Sequence, residues 1–132
     1  MTKHRLALSI LPEIYAICRL DAHSPVPAWV TAGEWFSITR TPEELSIVCP
    51  QGRVPGQATC EKGWRCLKVQ GPLDLSLSGI LASLLGPLAE AGISIFAIST
   101  FDTDYLLVKA RDLQNAIQVL RQAGHRVREN RP

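Results

Sequence analysis

The chain has 132 residues, 46% hydrophobic and 20% charged, with a formal net charge of +2. That length suits one domain or two small modules, and so small a charge provides no dense basic stripe of the kind that grips nucleic acid. The longest apolar stretch, Ile80 to Leu88, is interrupted by Ser83, Gly86 and Pro87 and falls short of the ~20 residues of a membrane span.

The N-terminus lacks the order of a secretory signal, because Pro12 and Glu13 break the first apolar run early. A cytoplasmic protein is expected, and the cysteines agree. Cys18, Cys49, Cys60 and Cys66 have no paired C-x-x-C spacing and no histidine at ligand distance. Neither a metal site nor a disulfide framework is expected of them.

Arg5–Leu11 reads as a strand, turned by Pro12 and Glu13, with a second strand over Ile14–Leu20. Asp21–Pro27 is a loop, and Trp35–Arg40 alternates as a strand. Thr41, Pro42, Glu43 and Glu44 begin a turn or a single helical turn, since Thr41 can cap and Glu44 completes an S/T-x-x-E box. Leu45–Cys49 is a buried strand by length and β-branching. Pro50–Gly63, with two prolines and three glycines, reads as a linker or long loop.

The second half is cleaner. Arg65–Gln70 is a strand, and Asp74, Ser76 and Ser78 signal a helix start. The helix carries Ile80, Leu81, Leu84, Leu85 and Leu88 on one face. Pro87 should kink or split it, and Gly92 should end it. Ile93–Thr100 and Tyr105–Lys109 are strands. Asp112–Ala123 is a second helix with Leu113, Ala116, Ile117 and Leu120 inward, stopped by Gly124. His125–Arg128 adds a short strand.

The order β-α-β-β-α-β defines an α+β, ferredoxin-like arrangement. The first half repeats the strands but offers little where a first helix should be. "SITRTPEELSIVC" (Ser37–Cys49) has the rhythm of "AISTFDTDYLLVK" (Ala97–Lys109), at an offset of 60 residues. Two tandem modules are expected, a degenerate, helix-poor one over 1–63 and a complete one over 64–132.

"GISIFAISTFDTDYLLV", with "SGILASLLGPLAEAG" before it, resembles the ACT domain, a regulatory module that binds small ligands, often amino acids. The likeness extends to the tandem-ACT group that forms the C-terminal part of the cytosolic arginine sensors. It is strong from about Gly71 to Leu120 and weaker over Ile14–Cys49. In that group an "ISTF" strand end and a "GI" at a helix start flank the ligand. Here these are Ile98, Ser99, Thr100 and Phe101, with Gly79 and Ile80. One place departs: arginine sensing has an acidic side chain just before the helix-start glycine, and this chain has Leu77 and Ser78. Asp104 keeps the acidic position in the turn.

Elementary chemistry supports a site at the same place. A helix N-terminus offers unpaired N–H groups and partial positive charge, which suit a carboxylate. Gly79 permits close backbone approach. Asp102 and Asp104 could hold an ammonium, and the hydroxyls of Thr100 and Thr103 could add hydrogen bonds. The expected ligand-binding set is Ser78, Gly79, Ile80, Thr100, Phe101, Asp102, Thr103 and Asp104, and the ligand an amino acid. Against this, Asp and Thr in a tight hairpin are commonly turn formers. Phe101 alone reads as core, and Ser76 and Ser78 as caps.

No catalytic residue, metal or cofactor is expected. His4, His23 and His125 fall at a terminus, in a loop and near the end of the chain, and no P-loop, G-x-G-x-x-G, H-E-x-x-H or G-x-S-x-G pattern is present. The resulting expectation is a non-catalytic amino-acid sensor, a homodimer that signals to a separate protein partner, with no nucleic acid or membrane involved. An oligomerisation or protein-partner module without ligand is the alternative, and a small enzyme stands behind both.

Overall fold

The structure is a computed structural model and describes residues 4–73 and 78–129. The helix-start signals Asp74 and Ser76, and Leu77, lie outside the described residues. The chain forms two compact units, one of Met1–Pro12 with Arg65–Pro132, the other of Glu13–Trp64. The strands are β1 (Ala7–Leu20), β2 (Ser37–Arg40), β3 (Leu45–Pro50), β4 (Cys60–Val69), β5 (Ile95–Ser99), β6 (Asp104–Lys109) and β7 (Arg126–Arg128). The helices are α1 (Ile80–Glu90) and α2 (Leu113–Gln122). β1 and β4 contribute residues to both units.

In the larger unit the strand order is β7-β1-β4-β6-β5. From β4 onward the elements run β-α-β-β-α-β, and the N-terminal part of β1 enters beside them, parallel to β7. Alternate residues of three strands, Leu8 and Ile10, Leu67 and Val69, Leu106 and Val108, share one core with Leu84 and Leu88 of α1 and with α2. The helices thus cover one face of the sheet, and each fully buried aliphatic contributes about 1.5–3 kcal/mol. The 3-4-3 spacing of α2 puts Leu113, Ala116, Ile117 and Leu120 inward, as expected.

Both helices end in the same way. Ile93 N–H donates to Leu88 O and Gly92 N–H to Ala89 O. His125 N–H donates to Leu120 O and Gly124 N–H to Arg121 O. Gly92 and Gly124 have φ of +75° and +100°, the left-handed position this cap requires.

Pro87 does not split α1, which continues to Glu90. The proline lacks the N–H that the carbonyl of Ser83 would take. The ring of His125, only 4% exposed, supplies a substitute. Its Nε2 lies 3.0 Å from Ser83 O, and its Nδ1 accepts the N–H of Leu6 at 3.1 Å. Nε2 as donor and Nδ1 as acceptor make it the neutral Nε2–H tautomer.

In the smaller unit, β3 pairs antiparallel with β2 and with Tyr15–Leu20 of β1. Its core is Ala16, Cys18, Val30, Leu45, Ile47 and Cys49, and Tyr15 meets Trp35 edge to face at 5.2 Å. It contains no α-helix. Residues 41–44 form a turn: Thr41 N–H donates to Glu44 O, and Thr41 Oγ1 accepts the N–H of Glu43 and Glu44.

Three expectations need correction. Pro12 and Glu13 do not turn the chain, because β1 runs unbroken through them. Pro12, which has no N–H to give, falls between the residues that pair with β7 (Ala7–Ser9) and those that pair with β3 (Tyr15–Leu20). Residues 50–63 are a loop only in part: β3 extends to Pro50, a short 3₁₀ turn covers Gln51–Arg53, residues 54–59 are loop, and β4 begins at Cys60. The hairpin offset is also 59, not 60. Arg40 pairs with Leu45 where Ser99 pairs with Asp104, so Thr41 corresponds to Thr100 and Arg40 to Ser99.

Candidate functional site

The β5–β6 hairpin is tied by its own side chains. Thr100 N–H donates to Thr103 O at 2.8 Å, and Thr100 Oγ1 bonds both Thr103 O and Thr103 N. Thr103, 4% exposed, donates its hydroxyl to Val69 O at 2.6 Å. Ser99 Oγ donates to Asp104 Oδ1 at 2.6 Å. The two threonine hydroxyls are therefore committed to holding the turn, and the carboxylates remain as its polar groups for a ligand. The segment after β4 locks on from the side, Leu73 N–H donating to Asp102 O at 2.6 Å.

Opposite the turn stands the start of α1. Gly79 caps it with φ +80°, and among the described residues no side chain bonds the cap. The first intrahelical bond is Ser83 N to Gly79 O, so the N–H groups of Ile80, Leu81 and Ala82 have no partner within the helix. A crevice of about 270 Å³ separates helix start from hairpin. It is lined by Gly79, Ile80 and Leu81 on one side, Ser99–Asp104 on the other, and Leu73 at the base.

Seven of the eight residues singled out from the sequence line this crevice. Ser78 lies outside the lining, and the residue that caps α1 is Gly79; the Ser78 carbonyl faces His4 Nε2 at 2.8 Å. Phe101 is not core: it is 80% exposed on the rim. Sequence reasoning misses Leu73 and Leu81, and leaves Ser99 out of the expected set although it belongs to the strand end that the resemblance places beside the ligand. Leu73 arrives from a loop with no periodic signal, whereas Ser99, inside the quoted strand end, follows from the hairpin register. A hollow of about 390 Å³ on the other side of the same turn is lined by Ser9, Lys68, Gln70 and Tyr105. A wider groove of about 720 Å³ runs along β7, where Arg121 is engaged by Val127 O at 2.7 Å and Glu129 at 3.6 Å. Of these three, the first crevice has a helix start on one wall and a carboxylate on the other.

The cysteines are free thiols. Cys18 and Cys49 lie diagonally across β1 and β3 in one core. The hydrogen bond between them pushes the Cys18 thiol up and holds Cys49 below its ordinary value. Burial pushes Cys60 up, and Cys66 up to about 12. Among the described residues, no three His, Cys, Asp or Glu side chains are grouped to hold a metal ion, and no helix is long and apolar enough to cross a membrane.

A sheet covered on one face by two helices, with a crevice between hairpin and helix start, is an ACT-like α+β module. The chain belongs to the ACT-domain family, whose model matches residues 59–122. A second family model, described as an N-terminal domain, matches residues 13–57. The human cytosolic arginine sensor for mTORC1 subunit 1 is 36% identical over 111 residues, 76% of this chain and 33% of the sensor. The chain spans only part of its curated relatives, 59% in the case of the human protein CASTOR3P. The crystal structure of Atu0741 from Agobacterium tumefaciens is 43% identical, covers 98% of this chain and 96% of its own, and superimposes with a TM-score of 0.93. The ligand-free regulatory subunit of aspartate kinase from Thermus thermophilus shares the fold alone, with a TM-score of 0.62 at 11% identity over 88% of this chain and 96% of that one.

Proposed function

We propose that the chain is a non-catalytic, tandem ACT-type regulatory protein that takes a free amino acid in the crevice between α1 and the β5–β6 hairpin. The observation that carries this is the crevice's polarity. A helix start, with three N–H groups free of helical partners, faces the Asp104 carboxylate across about 270 Å³. A ligand carboxylate suits the helix start, and its ammonium suits the second oxygen of Asp104 and the exposed Asp102. Leu73, Ile80 and Leu81 offer apolar contact for a side chain. Kinship with a protein named as an arginine sensor supports amino-acid regulation. The tandem reading is supported by the two turns, Thr41–Glu44 and Thr100–Thr103, which close through the same threonine hydrogen bonds. The protein acts in the cytoplasm as a homodimer, and passes its signal to a separate protein chain.

A thermal-shift screen of the common amino acids tests this. At a concentration 100-fold above Kd a true ligand adds about 2.7 kcal/mol. Asp104→Asn keeps the shape but removes the charge, and affinity by calorimetry should fall roughly ten- to a hundredfold, the size of one charge-assisted bond. No stabilisation by any amino acid, or an unchanged affinity in Asp104→Asn, refutes the reading.

A further inference from the structure

The two hairpins share one register, and the residue before each turn differs. In the larger unit it is Ser99, short and lining the crevice. In the smaller unit it is Arg40. Its Nη2 donates to Ser24 O at 2.7 Å and its Nη1 to Ala22 O. The carbonyl two positions into each turn is also used alike. Asp102 O is taken by the N–H of Leu73, in the segment after β4. Glu43 O is taken by the guanidinium of Arg19, next to the segment after β1, at 2.8 Å. In the larger unit the segment after β4 thus meets the turn through Leu73; in the smaller one the segment after β1 meets the hairpin through Arg40, the residue before the turn. In the larger unit the space between them is open; in the smaller one a side chain of the protein reaches across it.

We propose that Arg40 is an internal occupant. Its guanidinium fills, in the smaller unit, the position that the crevice leaves open in the larger one. The chain therefore offers one open small-molecule site, and the second position is a guanidinium-accepting cradle made by the carbonyls of Ala22 and Ser24. A planar fork of donors fits two carbonyl oxygens in a way that a point-charge ammonium does not. This rests on reading the first crevice as a ligand site only for the word "site"; the cradle itself stands on the Arg40 contacts.

The test is chemical rescue. Arg40→Ser places the residue of the open unit in the closed one. Methylguanidinium at millimolar concentration is titrated into the variant and the parent, with methylammonium as control, and backbone amide shifts are recorded. In the variant, methylguanidinium should saturably shift the amides of residues 22–25 and 40–44 and raise Tm, with an affinity at least about tenfold above that of the parent. Methylammonium should do neither. Because Arg40 is exposed, the variant should fold; Arg40→Lys, which keeps the charge without the fork, should show a lower Tm than the parent. Equal responses of variant and parent, equal rescue by methylammonium, or shifts confined to residues 78–81 and 99–104 would overturn the proposal. The first crevice stands or falls separately, by amino-acid binding to the parent.

Discussion

Replacing His125 with alanine removes a ring that holds two backbone groups at once. Leu6 N–H loses its acceptor and Ser83 O loses the donor that stands in for Pro87. Each buried group left unsatisfied costs about 1–3 kcal/mol, and the vacated volume adds to this, so the variant should lose about 3–5 kcal/mol in all. The two halves of the cost can be separated. Pro87→Ala restores an N–H at position 87 that can bond Ser83 O within the helix. In that background His125→Ala should orphan Leu6 N–H alone, and its cost should fall by about 1–2 kcal/mol, a coupling within the range seen for groups sharing one hydrogen-bond network. Urea unfolding of the four proteins, followed by far-UV circular dichroism, yields the cycle. If His125→Ala costs the same in the parent and in the Pro87→Ala background, to within about 0.5 kcal/mol, the imidazole does not substitute for the missing helix bond and the reasoning fails.

Gly79→Ala puts the added carbon in ordinary van der Waals contact with His4 at 3.6 Å, so its cost of about 1–2 kcal/mol should come from backbone strain at φ +80°; a urea midpoint equal to the parent's would refute this. Thr103→Val leaves Val69 O unsatisfied and should destabilise by about 1–3 kcal/mol, while amino-acid affinity, read by calorimetry, changes less than in Asp104→Asn; the reverse ranking would place the Thr103 hydroxyl in the site. Burial raises the Cys66 thiol from 9.0 to about 12, so its contribution is fully present below pH 9 and is lost as pH rises toward 12, at about 1.4 kcal/mol per pH unit. Cys66→Ala should flatten that alkaline decline in urea midpoints by one proton's worth, and an unchanged slope would contradict the assignment.

The larger unit is legible wherever a local rule is enough. The 3-4 spacing of α2 identifies its four inward residues, and Gly92 and Gly124 mark both helix ends, because these signals lie within a few residues of each other. The crevice is legible because its two walls fall in two short motifs, around Gly79 and around Thr100–Asp104. The misreadings are those in which a distant partner decides the outcome. Pro12 looks like a turn because its missing N–H should break a strand, and only the pairing of β1 on either side of it shows the strand running through. Pro87 looks like a helix breaker because His125, 42 positions from Ser83, supplies the substitute bond. Phe101 reads as core because apolar rings are commonly buried, yet the turn bonds of Thr100 and Thr103 aim it outward, at the crevice rim. The repeat reads one residue out of register, since a rhythm of residue types leaves a slip of one open and the strand pairing fixes it.

The measurement that bears most directly on the account is a backbone amide titration of the unmodified chain with the amino acid that raises Tm most. The account predicts saturable shifts concentrated at Gly79–Leu81 and Ser99–Asp104, abolished or weakened at least about tenfold in Asp104→Asn. Shifts centred elsewhere, for instance along the β7 groove at Arg126 and Arg128, or no shifts at millimolar concentrations of any amino acid, would contradict it.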